Sequence, residues 1–183
     1  TSLKRRNNIG DYQGKISIDG QLREFRGTKD AEESGVAIIH QELNLFKELT
    51  VAENIFIGNE IARRGKVDWP ACFVEARKLF EQYSLDIDPR KFVKDLKIGH
   101  AQLIEITKAL SKKARILVLD EPTSALSDFE VAKLFQIMRR LKADGVTMFY
   151  ISHKLDEIKE ICDDVIVLRD GKSIGAPQPV ARI

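Results

Sequence analysis

Residues 116–124 read Ile116-Leu117-Val118-Leu119-Asp120-Glu121-Pro122-Thr123-Ser124. Four apolar residues in a row are too few for a helix and do not alternate. That is the pattern of a strand covered on both faces, as in a parallel sheet. The run ends in adjacent carboxylates, which places the acids at the carboxyl edge of a buried strand, where open α/β sheets bind ligands. Asp120 at such a tip suits Mg²⁺, which takes hard oxygen ligands and keeps much of its water. Glu121 one residue later can act on an attacking water, as a base or by orienting it for phosphoryl transfer. Taken alone, an acidic turn closing a strand is an equally good description.

Three similar runs flank this one: Val36 to Ile39, Met148 to Ile151 and Val165 to Leu168. Between them lie helical patterns. Residues 128 to 143 set Val131, Leu134, Phe135, Met138 and Leu141 on one face, with Asp128 placed as an N-cap and Gly145 closing the segment. Strand 116–119, this helix and strand 146–151 form a βαβ unit, and helix 155–161 leading to strand 165–168 adds another half. The expected class is α/β with a mostly parallel sheet. Ile16 to Asp19, alternating and closed by Gly20, reads as a hairpin at a sheet edge. Residues 43 to 112 are different, with helical periodicity over 51–57, 69–83 and 102–110. They read as a helical insertion between core segments 1–42 and 113–175.

A strand ending in Ile151-Ser152-His153 follows the crossover, so it finishes at the same sheet edge as Glu121. His153 is thereby brought within reach of Glu121 and of any phosphate held there. Upstream, Ala37-Ile38-Ile39-His40-Gln41-Glu42 is a third strand ending in an amide. Gln41 can accept from a metal-bound water and donate toward a nucleotide oxygen. His40 has no such company and reads as structural.

Composition narrows the class. Lysine and arginine number 30 against 28 acidic residues, a net charge of +2, with 43% hydrophobic and 32% charged residues. That balance excludes nucleic-acid binding by bulk basicity and an acidic disordered tail. No apolar run approaches the roughly 20 residues of a membrane span, and no signal-peptide stretch follows the basic start. Cys72 and Cys162 lack a CxxC spacing or a nearby histidine and read as packed, reduced thiols.

Together these residues resemble the ATP-binding subunits of ABC transporters over about residues 10 to 175. The order is Gln41, a helical stretch, Leu96-Lys97-Ile98-Gly99-His100, Ile116 to Glu121, Ser124 to Asp128 and then His153. The runs Ala37 to Leu43 and Leu49 to Glu60 are similar to bacterial monosaccharide importers, and Gly10-Asp11-Tyr12-Gln13-Gly14 leans toward the xylose-type members. Such ATPases are usually two fused halves, and this chain resembles the first.

The resemblance implies a P-loop NTPase core of the ABC type, with ATP and Mg²⁺ as cofactors. It implies Asp120 for the magnesium, Glu121 for the hydrolytic water and His153 for the γ-phosphate. Gln41 would sense magnesium and link to the helical subdomain. Ser124 to Asp128 matches a loop that crosses the interface between halves, with Ser127 where many members have Asp. Implied partners are membrane permease subunits, a second ABC half (fused or in trans) and, indirectly, a periplasmic sugar-binding protein, with no nucleic acid. The implied location is the cytoplasmic face of the inner membrane, held there through the permease.

Two departures stand out. The family's signature loop reads Leu-Ser-Gly-Gly-Gln, whereas this chain has Leu96-Lys97-Ile98-Gly99-His100. Lys97 either offers a point charge to phosphate or is an ordinary surface lysine. Second, the 183 residues contain no G-x-x-x-x-G-K-[ST], the loop whose N–H groups and lysine cradle the β- and γ-phosphates. Gly10-Asp11-Tyr12-Gln13-Gly14-Lys15-Ile16 is a decoy, with glycines one residue too close and Ile16 in place of a hydroxyl. In the family that loop lies before the position of Thr1, so the expectation is an ABC domain incomplete at its N-terminus, weak or inactive by itself. The alternative is a non-hydrolysing remnant or docking module that meets the permease through residues 43 to 110. A soluble family member of translation or DNA repair fits the Gln41 to Glu60 segment poorly.

Overall fold

A computed structural model describes residues 14–183. The readings placed on the basic start and on Gly10-Asp11-Tyr12-Gln13 lie outside the described residues. The fold is α/β. Its centre is a three-stranded parallel sheet of β3 (Val36–Ile39), β6 (Ile116–Asp120) and β7 (Thr147–Ile151), in the order β3-β6-β7. Ile39 lies opposite Leu119, and Asp120 lies opposite Ile151, so all three strands end at one edge. Helix α5 (Asp128–Ala143) makes the crossover from β6 to β7.

The central strand alternates in burial. Leu117 and Leu119 are fully buried, and each stabilises the fold by roughly 1.5–3 kcal/mol relative to exposure. They share one core with Leu134, Phe135, Met138 and Leu141 of α5 and with Ile104 and Ile106 of α4 (Ile98–Ser111). The sequence pattern predicts both faces covered, but the described residues cover one. On the other face Ile38 is 54% exposed, Phe149 59% and Ile151 49%. Alternate residues of the apolar runs therefore stay open, while Ile39 and Leu119 between them are buried.

The strand expected at 165–168 departs further from the pattern. It is β8 (Asp164–Arg169), and it pairs antiparallel with β9 (Lys172–Pro179) in a separate two-stranded sheet. The cause is local. Asp170 and Gly171 both have positive φ, 52° and 74°, the conformation of a tight two-residue reversal that suits Asp-Gly. The same device closes the N-terminal hairpin of β1 (Ile16–Ile18) and β2 (Gln21–Arg23), through Asp19 and Gly20. That hairpin forms as expected, but it is its own two-stranded sheet rather than an edge of the parallel one. An ion pair of 2.9 Å between Asp19 and Arg115 ties it to the start of β6.

The short helix α1 (Thr28–Glu33) leads into β3. Between β3 and β6 the chain is mostly helical. Helix α2 (Val51–Phe56) opens on a capping box in which Thr50 and Glu53 satisfy each other's N–H groups. Helix α3 (Trp69–Gln82) opens on Asp68, whose carboxylate accepts from the N–H of Ala71, with Pro70 in the first turn. A small hairpin, β4 (Ala62–Arg63) and β5 (Lys66–Val67), interrupts this region around Arg64 and Gly65, both at positive φ. Its strands are too short for a burial pattern to reveal. Asn54, fully buried on α2, accepts from the N–H of Phe46 at 2.7 Å. It also donates to the carbonyls of Phe46 and Thr50 at 3.0 and 2.9 Å. One amide thus shapes the loop that carries the chain from β3 into α2.

Candidate functional site

Glu121 is the first residue beyond β6 and has φ of 45°. A non-glycine residue in this region is held there by its surroundings, at a cost of order 1–3 kcal/mol. Two backbone hydrogen bonds supply the restraint. The N–H of Glu121 donates to the carbonyl of Ile151 at 3.0 Å, and the N–H of Ser124 donates to the carbonyl of Glu121 at 3.2 Å. The turn delivers the Glu121 carboxylate to His153, with Oε1 and Nδ1 3.0 Å apart. Two residues far apart in sequence thus meet at the carboxyl edge of the parallel sheet.

Asp120 is the last residue of β6, half-buried, directly beneath this pair in the chain. Gln41 leaves the same edge two residues after β3 ends and is exposed. Ser124 is exposed on the loop between Glu121 and α5. The structure therefore gathers Gln41, Asp120, Glu121, Ser124 and His153 at one edge. Asp120 and Gln41 are hard oxygen donors at this edge besides the Glu121 carboxylate, which His153 occupies. One or two carboxylates suffice for Mg²⁺ when phosphates and water complete its shell, and the strand-tip Asp120 offers one. Among the described residues no group of three or more His, Cys, Asp and Glu side chains could hold a metal by itself.

Lys97, Ile98, Gly99 and His100 are not part of this cluster. They begin α4, with Lys97 as its N-cap residue, so the helix starts four residues before the periodicity expected at 102. Lys97, Gly99 and His100 line a separate pocket of about 180 Å³ with Leu126, Ser127, Phe129, Glu130 and Lys133. The cap of α5 is here too. Ser127, rather than the expected Asp128, is the N-cap, and its N–H and hydroxyl both donate to Glu130, at 2.9 and 2.8 Å. Those hydrogen bonds hold the Glu130 carboxyl below its ordinary range. Burial, with Lys133 and Lys97 nearby, pushes the His100 imidazole down, toward the neutral ring.

Gly99 has a packing reason to be glycine. A Cβ there would collide with the Glu130 carboxylate. A helical Gly→Ala change ordinarily stabilises by about 1 kcal/mol. Gly99→Ala is expected to show no such gain, because Glu130 would have to leave Ser127. In a Glu130→Ala background the same change should stabilise by about 1 kcal/mol. Denaturation midpoints of the four chains check this, and a full gain in the Glu130 chain would refute it.

Sequence reasoning missed one polar cluster. Glu157, on α6 (Leu155–Ile161), accepts from Tyr150 at 2.6 Å, Thr123 at 2.7 Å and Lys154 at 2.9 Å. Burial pushes its carboxyl up, but donors from Tyr150, Thr123 and Lys154 outweigh that and hold it below its ordinary value. Burial, with donation to Glu157, pushes the Tyr150 hydroxyl far above its ordinary range. On a helix rich in Asp, Glu and Lys, nothing in the sequence marks Glu157 as the one drawn inward.

Comparison with known proteins gives concordant results. The ABC transporter family model matches residues 5–124. The xylose import ATP-binding protein XylG of Thermoanaerobacter pseudethanolicus is 53% identical over 165 residues, covering 90% of this chain and 33% of that protein. Its counterpart in Geobacillus kaustophilus is 51% identical over 165 residues, with the same two shares, 90% and 33%. The chain thus spans about a third of the length of the curated relatives it matches. Among solved structures, CbiO1 of Clostridium perfringens, part of the ABC transporter complex CbiONQ, superposes with a TM-score of 0.76 at 20% identity. It covers 93% of this chain and 67% of that one. An ATP-binding cassette of an ABC transporter in its ADP conformation gives 0.75 at 24% identity, covering 91% and 69%. At these identities the structures speak for the fold alone.

Proposed function

This chain belongs to the ABC transporter family, and on that premise we propose that it forms part of the first ATP-binding half of a subunit powering monosaccharide import. Xylose is the sugar we assign, from the likeness to the xylose import proteins. The observation that carries the reading is the Glu121–His153 pair, 3.0 Å apart at the sheet edge where Asp120 and Gln41 also emerge.

In this reading Glu121 holds the attacking water and takes its proton, or orients it while the phosphoryl group transfers. A carboxylate only accepts, so His153 donates to Glu121 through Nδ1. Asp120 and Gln41 are the residues that would hold Mg²⁺, which supplies charge neutralisation for the nucleotide's phosphates when bound. Ser124 belongs to the surface that meets a second ABC half. Lys97, Ile98, Gly99 and His100 face the nucleotide of that other half, with Lys97 as a point charge in place of a serine hydroxyl. Residues 43–112 form the subdomain that meets the permease, with 14–42 and 113–175 as the described part of the core. No helix of the described residues is long and apolar enough to cross a membrane. Attachment at the cytoplasmic face through permease subunits is consistent with that, and a periplasmic sugar-binding protein would supply the cargo.

The phosphate cradle is not among these 183 residues, and its N–H groups and lysine supply much of the electrostatic stabilisation in this chemistry. The segment alone is expected to bind ATP–Mg²⁺ more weakly than micromolar, and the whole subunit to bind it at micromolar levels. Calorimetric titration of both checks this. Micromolar binding by the segment alone, or none by the subunit, would overturn the reading.

A further inference from the structure

Glu157 is largely covered by residues from the ends of β6 and β7. Its side chain is 12% exposed, and it stands four residues beyond His153 on the helix that follows β7. One of its oxygens accepts three hydroxyls: Tyr150 at 2.6 Å, Thr123 at 2.7 Å and Ser152 at 3.4 Å. The other accepts from the Lys154 ammonium at 2.9 Å. Thr123 lies two residues after Glu121 and is 2% exposed. Ser152 and Lys154 flank His153, and the Lys154 N–H donates to the Ser152 hydroxyl at 3.1 Å. A single carboxylate therefore grips the loop leaving β6 and the turn leaving β7, on either side of the Glu121–His153 contact.

We propose that Glu157 is a positioning residue that fixes the spacing of Glu121 and His153. The backbone bond from Glu121 to Ile151 sets the two strand ends side by side. Between the next residues of each segment, Thr123 and Ser152 to Lys154, the direct contacts are long, from Lys154 Nζ to the Thr123 carbonyl and hydroxyl at 3.5 Å, and the short ones run through Glu157. Short hydrogen bonds to an ionised carboxylate are about twice as strong as neutral ones. Removing the acceptor leaves the Thr123 hydroxyl, on a residue 2% exposed, and the half-buried Tyr150 hydroxyl without their short partner, and unpaired groups of this kind are costly enough to drive local rearrangement. The segments would then drift apart, and His153, itself 72% exposed at the side chain, has little else to hold it to Glu121.

The inference rests on the reading of Glu121 and His153 as the reacting pair, but its test does not need turnover. The chain has three histidines, so their ring resonances can be assigned in labelled 183-residue protein by single His→Gln changes. In Glu157→Ala the His153 ring signals are expected to move to the positions they take in Glu121→Ala, where the contact is absent, while His40 and His100 stay in place. Thr123→Val, which keeps the volume and removes the hydroxyl that meets Glu157 at 2.7 Å and Lys154 at 3.5 Å, should move His153 the same way by a smaller amount. Glu157→Gln, which keeps an acceptor oxygen, should restore part of the wild-type position. Unmoved His153 signals in Thr123→Val, or in a folded Glu157→Ala chain, would overturn the proposal. If Glu157→Ala does not fold, Thr123→Val and Glu157→Gln decide. In the whole subunit, Glu157→Gln should lower kcat roughly tenfold or more, since misplacement by about 1 Å can cost about 100-fold, with KM for ATP unchanged. A raised KM at unchanged kcat also counts against it. Absence of hydrolysis by the wild-type subunit would remove the ATPase reading and leave the resonance test standing.

Discussion

Glu121→Gln in the intact subunit is expected to lower ATP turnover by roughly 10²–10⁴-fold, the usual worth of a general base, while ATP–Mg²⁺ binding changes by no more than a few-fold. The change is nearly isosteric. The amide oxygen can still accept from His153 Nδ1, so the 3.0 Å contact survives and the turn at φ 45° has no reason to relax. What disappears is the negative charge that polarises water. Steady-state turnover and equilibrium nucleotide binding, measured on the same preparation, separate the two effects. Turnover within a few-fold of wild type would remove Glu121 from the role given to it.

The largest stability effect is expected at Phe135. It is 1% exposed, sits between Leu134 and Met138 in the shared core, and meets Tyr150 edge-on with ring centroids 6.1 Å apart. Phe135→Ala should cost about 3–5 kcal/mol through lost transfer energy and the cavity left behind. Against a typical domain stability of about 5–15 kcal/mol, that is roughly a fifth or more. Tyr150 would also lose the packing that aims its hydroxyl at Glu157, so site and core loosen together. Phe129, on the same helix but 80% exposed, is the control, and Phe129→Ala should stay within about 0.5 kcal/mol. Urea midpoints measure both, and a loss below about 1 kcal/mol at Phe135 would show that the core is not packed as described.

Much of the site was legible because it lies where strands end. Apolar runs that stop at Asp120, at Ser152 and just before His40 say which residues emerge at the carboxyl edge, and the parallel register then brings them level. The same kind of run misled at Val165–Leu168. Four apolar residues announce a strand but not its partner, and the deciding signal was the Asp170-Gly171 pair that folds the chain back on itself. At α5 both Ser127 and Asp128 are good caps. Glu130, three residues after Ser127, was the residue that selects the serine. Glu157 was beyond reach for a different reason. Its neighbours Thr123 and Tyr150 come from the loop after β6 and from β7, and Lys154 caps its own helix, so only the packed fold reveals a half-buried acceptor among surface acids. Gly99 likewise reads as a loop glycine until the Glu130 carboxylate is found against it.

The most direct measurement is sugar uptake by liposomes carrying the whole subunit with its permease and binding protein, supplied with labelled xylose and internal ATP–Mg²⁺. Accumulation that requires ATP and stops with Glu121→Gln is the expected outcome. Accumulation that proceeds without ATP, or continues unchanged with Glu121→Gln, would show that these residues do not power import.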